Sequence, residues 1–187
     1  MKFKMLYASS YDRGLQYLLE MWGDIKKRIP EAELHIAYGW NLFDIARGND
    51  PEGMKWKAYM VGLMKQEGVK EHGRLSKKEL NKLTAECDIL SYYCNFSETN
   101  SITAINSIKH GAIPITMDRA GLQDTAFVGT RITSHAEDPD AKEKYLEALV
   151  YAYENPKWLE EQREEGKKKI SDFYWENIAS KWEEHFK

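Results

Sequence analysis

Short apolar runs alternate along the chain with segments whose apolar residues recur at three- and four-residue steps. The runs Lys4–Ala8, Glu33–Tyr38, Ile89–Cys94 and Ile113–Met117 predict strands, and Val69–His72, ended by Gly73, can be a short third one. Between the first two, Leu15, Leu18, Leu19, Trp22, Ile25 and Ile29 share one face of a helix expected over Gly14–Arg28, and Pro30 closes it. Asn41–Asp50 reads as ambiguous, a short helix or a loop. Pro51 opens a longer helix to about Gln66, ended by Gly68. Ser76-Lys77-Lys78-Glu79 is a capping box, in which hydroxyl and carboxylate satisfy each other's backbone N–H, and it predicts a helix to Glu86. Ser101 caps a helix to Lys109, stopped by Gly111. Gly121 and Gly129 bracket a turn-rich piece.

Strands and helices alternate through residue 134, which predicts an α/β fold: one Rossmann-like, doubly wound parallel sheet with helices on both faces. After Asp138 the pattern is helical only, over Ala141–Glu154, Pro156–Lys169 and Ser171–Phe186. The expectation is one domain over 1–187, with an α/β core at 1–134 and a helical C-terminal segment at 138–187. Trp158, Phe173, Tyr174, Trp175, Trp182 and Phe186 in that segment need a surface. They cover either this sheet domain or a second domain that the chain lacks. Asp138-Pro139-Asp140 reads as a helix N-cap.

Length and composition narrow the class. At 187 residues, 42% apolar and 30% charged, the chain buries a full core without disulfides or a structural metal. No run of 18 apolar residues occurs, so no membrane span is expected, and the first residues are too short in apolar length for a signal peptide. The net charge of −3 gives no footprint for nucleic acid. Cys87 and Cys94, without a paired histidine, read as buried thiols of a cytoplasmic protein, not as zinc ligands. No metal and no cofactor are expected.

In an open parallel sheet, ligands bind beyond the carboxyl ends of the strands. The residues there are Ser9–Gly14, Gly39–Asn41, Gly73–Ser76, Asn95–Ser101 and Asp118–Leu122. They are rich in glycine and hydroxyl groups and include Arg13 and Arg74. With helix amino ends at Gly14 and Ser101, these are the parts that hold a phosphate or diphosphate. Neither a G-x-G-x-x-G nor a P-loop is present. Trp40 either stacks on a base or packs.

Three stretches resemble the C-terminal, donor-binding domain of retaining GT-B glycosyltransferases of the group 1, GT4-like kind. They are "YASSYDRGLQYLLEMWGDIKKRIPEAELHIAYGW", "HGRLSKKELNKLTAECDILSYYCNFSETNSITAINSIKHGAIPITMDRAGLQDT" and "FYWENIASKWEEHF". The middle one is the most diagnostic. The last is similar to the family's final helix, which crosses back toward the N-terminal domain. The family motif E-x7-E reads Glu98 to Asn106 here, so the first acid is kept and the second is an amide.

The resemblance implies that Glu98 lies against the donor sugar as the catalytic residue and that Asn106 stands where the family holds the ribose. It implies that the Asn100-Ser101-Ile102 backbone reaches sugar and phosphate. Arg13, before Gly14, stands where a basic residue contacts the diphosphate. Ser9-Ser10 replaces a second family arginine, leaving Ser10 as a polar contact. Gly39 and Arg74 complete the expected nucleotide-sugar contacts, with the base read near His72–Leu75. The implied reaction is metal-free glycosyl transfer with retention, the nucleotide sugar being the donor substrate.

Such enzymes place the active site between two domains, so an N-terminal acceptor-binding domain is expected in cis or in trans. Three alternatives stand: a fragment of a longer enzyme, a one-domain subunit of a split glycosyltransferase, or a nucleotide-sugar binding module without catalysis. An unrelated doubly wound regulatory or protein-interaction domain is the reading from a different class.

Overall fold

The computed structural model describes residues 2–186. In chain order the elements are β1 (Phe3–Tyr7), α1 (Leu15–Glu20), α2 (Trp22–Arg28), β2 (Ala32–Ile36), α3 (Asn41–Arg47), α4 (Pro51–Leu63), β3 (Val69–Glu71) and α5 (Lys77–Ala85). There follow β4 (Ile89–Tyr92), α6 (Ile102–Lys109), β5 (Ile113–Met117), α7 (Leu122–Thr125), β6 (Thr130–Ile132), α8 (Ala141–Glu154), α9 (Pro156–Lys169), a 3-10 turn at Ile170–Phe173 and α10 (Trp175–His185).

The six strands form one sheet in the order β3-β2-β1-β4-β5-β6, every pair parallel. The chain runs outward from β1 to β3 and then returns to lay β4 against the free side of β1. That reversal opens a crevice beyond the carboxyl ends of β1 and β4. Every residue of β2, β4 and β5 is buried, because helices cover both faces. The edge strands β3 and β6 have three residues each and carry Lys70, Glu71 and Arg131, which discourages pairing with another chain.

The single helix expected over Gly14–Arg28 is two, joined at Met21 (φ −90°, ψ 0°). The backbone bonds Met21 N–H to Tyr17 and Ile25 N–H to Met21 bridge the joint, so one apolar face survives the break. Trp22, just past it, is buried and donates its indole N–H to the Glu67 carbonyl at 2.8 Å. The ambiguous 41–50 segment contains helix α3. Strand β6 lies in the piece expected to be only turns; three residues are too few to show a period.

Neither Asp138 nor Asp140 caps α8 with its side chain. The Asp138 carboxylate instead accepts from the His135 N–H at 2.7 Å, and the Asp140 carboxylate pairs with Lys144. Helix α8 belongs to the core: buried Tyr145 reaches under the sheet, its hydroxyl 2.8 Å from Ser91 Oγ and donating to the Ile115 carbonyl at 3.0 Å. Phe173 stacks on Phe127 with centroids 4.8 Å apart. Helix α10 has no buried residue, and Trp175, Trp182 and Phe186 are exposed. Phe173 thus packs on this domain, while Trp175, Trp182 and Phe186 are left uncovered by it.

Two glycines differ sharply in what they tolerate. Gly129, at φ 88°, leads into β6, and a Cβ there would lie 2.0 Å from the Pro114 carbonyl oxygen. Gly62 sits in exposed α4 with nothing near its Cβ position. Gly129→Ala is expected to destabilise by more than about 2 kcal/mol, whereas Gly62→Ala should stabilise by roughly 0.5–1 kcal/mol. Urea denaturation midpoints of the two variants decide this; a harmless Gly129→Ala would mean that β6 does not dock as described.

Candidate functional site at the sheet's switch point

The loop after β1 can approach the end of β4 only because residue 14 lacks a side chain. Gly14 has φ 109°, and a Cβ would lie 1.9 Å from the Tyr93 carbonyl oxygen. That approach carries Arg13 over the loop after β4. Its Nη1 donates to both carboxylate oxygens of Glu98 at 3.1 Å, and its guanidinium lies 4.2 Å from the Phe96 ring centre. Glu98 is 8% exposed, so its charge needs partners within the protein.

A second partner is Tyr92, whose hydroxyl donates to Glu98 at 2.5 Å and lies 3.0 Å from Ser9 Oγ. Burial pushes the Tyr92 hydroxyl far above the usual phenol range, with the neighbouring Tyr7 and Cys94 adding to it, so it stays a donor. From behind, the Gly121 N–H donates to the Glu98 carbonyl at 2.7 Å, and Arg119 donates to Ser97 at 3.1 Å.

The crevice between α5 and α6 reaches the same loop at Ala8, next to Ser9, while Arg13, Tyr92 and Glu98 themselves lie outside its lining. Two adjoining cavities, about 240 and 330 Å³, share Ala8, Lys77, Leu80 and Thr103 in their walls. The first adds Asn81 and Asn106, whose amides are joined at 3.1 Å. The second adds Tyr38 and Arg74, the guanidinium standing 5.4 Å from the tyrosine ring centre. Ser101 caps α6, its hydroxyl accepting from Ala104 N–H at 3.4 Å. The amides of Asn100, Ser101, Ile102 and Thr103 find no acceptor among the described residues, as at any open helix start.

The expected site residues thus fall into groups. Arg13 and Glu98 touch. Arg74, Ile102 and Asn106 line the crevice. Asn100 is exposed on the rim, and Ser101 is buried and occupied with its cap. The Ser10 carbonyl accepts from Tyr7 Oη and Arg13 N–H, so this residue shapes the loop. Gly39 (φ 83°) backs onto Arg74, where a Cβ would lie 2.9 Å from the Arg74 nitrogen. Trp40 packs: its ring meets Tyr11 at 4.7 Å and Trp56 at 5.9 Å, edge to face.

Sequence reasoning passed over Lys77, Asn81, Tyr92 and Thr103. A signal existed for Lys77 alone, a cation in the first turn of a helix, where the macrodipole disfavours it. Among the described residues no group of three or more His, Cys, Asp or Glu side chains is placed to hold a metal ion. No described helix is long and apolar enough to cross a membrane.

This architecture is a Rossmann-like domain with a helical tail, and it matches one half of GT-B glycosyltransferases. No protein-family model and no curated protein matches the sequence. Among solved structures, a sucrose-phosphate synthase from Thermosynechococcus elongatus is 19% identical, with a TM-score of 0.74 over 99% of this chain and 45% of that one. WaaG, a glycosyltransferase involved in lipopolysaccharide biosynthesis, is 17% identical, with a TM-score of 0.68 over 91% of this chain and 43% of that one. A chain of the GtfA/B complex is 15% identical, with a TM-score of 0.71 over 97% of this chain and 35% of that one. The chain spans between a third and a half of each of these proteins.

At the outer side of the crevice, His35 and His72 meet across β2 and the end of β3. Nδ1 of His35 lies 3.0 Å from Nε2 of His72, and the rings are nearly parallel with centres 5.2 Å apart. That separation means edge-to-edge rings sharing one N–H. Nε2 of His35 is buried without a hydrogen bond, 3.5 Å from the Glu33 carboxylate. Burial, then His72 and Lys70, push the His35 pKa below its ordinary 6.5. Hydrogen bonds from Lys2 and Lys70 hold Glu33 at about 2.

Folding lowers the His35 pKa, so its contribution to stability is complete above pH 6.5 and is lost as the pH falls toward the folded value. Glu33 acts in a separate window, its contribution being lost between 4.5 and about 2. Urea midpoints should therefore drop between pH 7.5 and 5.5, and His35→Gln should flatten that drop. An unchanged slope in the variant would remove His35 as its cause.

Proposed function

We propose that this chain is the donor-binding half of a metal-independent, retaining glycosyltransferase, a cytoplasmic protein that holds a nucleotide-activated sugar. The observation that carries the reading is the meeting of Arg13 and Glu98 at the switch point, beside a crevice whose walls carry Arg74, Lys77 and Asn106. The sequence resemblance assigns these two residues to diphosphate and sugar independently of their distance in space.

In the proposed reaction the bond from the anomeric carbon to the diphosphate breaks, the electron pair leaves with the phosphate, and an acceptor hydroxyl oxygen would form the new bond on the same face, its proton passing to the departing phosphate oxygen. Positive charge grows on the sugar ring and negative charge on the leaving oxygen. Arg13 and the open amides at the start of α6 would meet the growing negative charge. The Glu98 carboxylate, fixed by Tyr92, would hold the sugar. A diphosphate entering beside Arg13 would share that cation with Glu98. The acceptor would bind an N-terminal domain, in cis or in trans, and the exposed aromatic side of α10 supports such a neighbour.

A nucleotide-sugar binding module or split-enzyme subunit is the second reading. It is favoured by the amide at position 106, which offers a ribose hydrogen bonds without charge.

Calorimetric titration with UDP, GDP and ADP should find at least one ligand, and Arg13→Ala should weaken it roughly tenfold while leaving the matching nucleoside unaffected. Glu98→Gln should keep nucleotide binding and abolish release of nucleoside diphosphate from the matching sugar nucleotide. Binding without any release by the unmodified chain would favour the second reading. Failure of all three nucleotides to bind would overturn both.

A further inference from the structure

We infer that Lys77, in the wall of the crevice at the start of α5, is the second phosphate-binding cation beside Arg13. The inference rests on the donor-site reading above and adds to it a residue to which the sequence resemblance gives no role.

Lys77 opens α5 and stands where three cavities join. It lines both crevice cavities and also a groove of about 430 Å³ that follows α6 toward Tyr174. The two crevice cavities are lined by the cations Arg74 and Lys77 and by no carboxylate. Neither cation is in an ion pair with any described residue, although acids outnumber bases in the chain, 30 to 27. The acids closest in sequence are occupied. Glu79 accepts from Ser76 N–H and Oγ at 2.9 and 2.6 Å, and Glu71 accepts from Tyr11 Oη and Gly73 N–H at 2.7 and 3.0 Å. Lys77 also opposes the dipole of its own helix, so its charge does nothing for α5.

Two further features point the same way. The loop after β1 has serines at positions 9 and 10, and the Ser9 hydroxyl is engaged with Tyr92, while Arg13 is held by Glu98. A diphosphate entering here meets one cation on that side, already shared. Position 106 lines the same cavity as Lys77. An acid there would neutralise the ammonium, whereas Asn106 is tied to Asn81 and leaves it free. The missing acid and the extra lysine both raise the potential felt by an anion.

The test is calorimetry on the whole chain with inorganic pyrophosphate, with UDP, GDP and ADP, and with the three nucleosides. Lys77→Met keeps the apolar stem along Leu80 and the helix start, and a thermal melt checks that it folds. The expected result is about a tenfold loss of affinity for pyrophosphate and for the diphosphate that binds, no change for the nucleoside, and recovery in Lys77→Arg. If the unmodified chain binds a diphosphate and Lys77→Met binds it equally, Lys77 is not the cation and the donor-site reading stands. Equal losses for nucleoside and diphosphate would also overturn the inference, since they would mark packing rather than charge. If no phosphate compound binds the unmodified chain, the inference and the reading beneath it fall together.

Discussion

Side chains from two neighbouring parts of the chain converge on one nearly buried carboxylate. Glu98 takes Arg13 from the loop after β1, Tyr92 from β4, and through Tyr92 the hydroxyl of Ser9. A charge so little exposed is costly unless paired and hydrogen-bonded, and removing one partner is more damaging than removing the whole network. The network therefore fixes the loop after β1 against the loop after β4. Gly14 makes the approach sterically possible, and the Gly121 N–H holds the carbonyl side of residue 98. The crevice between α5 and α6 keeps its shape because its neighbouring loops are pinned in this way.

The sheet order decides why such a network can exist at all. Arg13 and Glu98 are 85 residues apart in sequence, yet β1 and β4 are adjacent strands, with Met5 opposite Ile89 and Leu6 opposite Leu90. Loops leaving two neighbouring parallel strands at the same end must meet. Thr103 repeats the logic from α6, donating to the Ala8 carbonyl at 3.1 Å.

Much of this was legible in the sequence, and the exceptions have physical causes. β1, β2, β4 and β5 stand out because helices cover both faces of the sheet, so apolar residues dominate there, whereas β3 was marked only by Val69 and the glycines on either side. Strand β6 was hidden by its length, and the break at Met21 by an apolar period that continues through it. Arg13 and Glu98 were readable as residue types at strand ends, but their contact is tertiary. The His35–His72 pair was invisible for the same reason: parallel register sets His35 opposite Lys70, two residues short of His72. The one signal for Lys77, a cation in the first turn of a helix, was overshadowed by the capping box of Ser76 and Glu79, which accounts for the backbone there. A local motif that accounts for a segment's backbone says nothing about the side chains between its ends.

The aromatic tail shows how far the chain satisfies its own surfaces. Tyr145 in α8 finds two buried hydrogen-bond partners, and Phe173 finds a stacking ring. In α10 apolar residues recur at helical spacing, yet Trp175 is 81% exposed and Trp182 62%. Single exposed apolar side chains are ordinary, but an amphipathic helix whose apolar side is largely uncovered gains little stability from that side. A helix of 11 residues is marginal in water without packing. Its order here depends on the 3-10 turn that anchors its start, where Ile170 is buried and Phe173 stacks on Phe127. A covering surface on that side would add burial without any rearrangement of the core, because the anchoring turn already holds the helix in place.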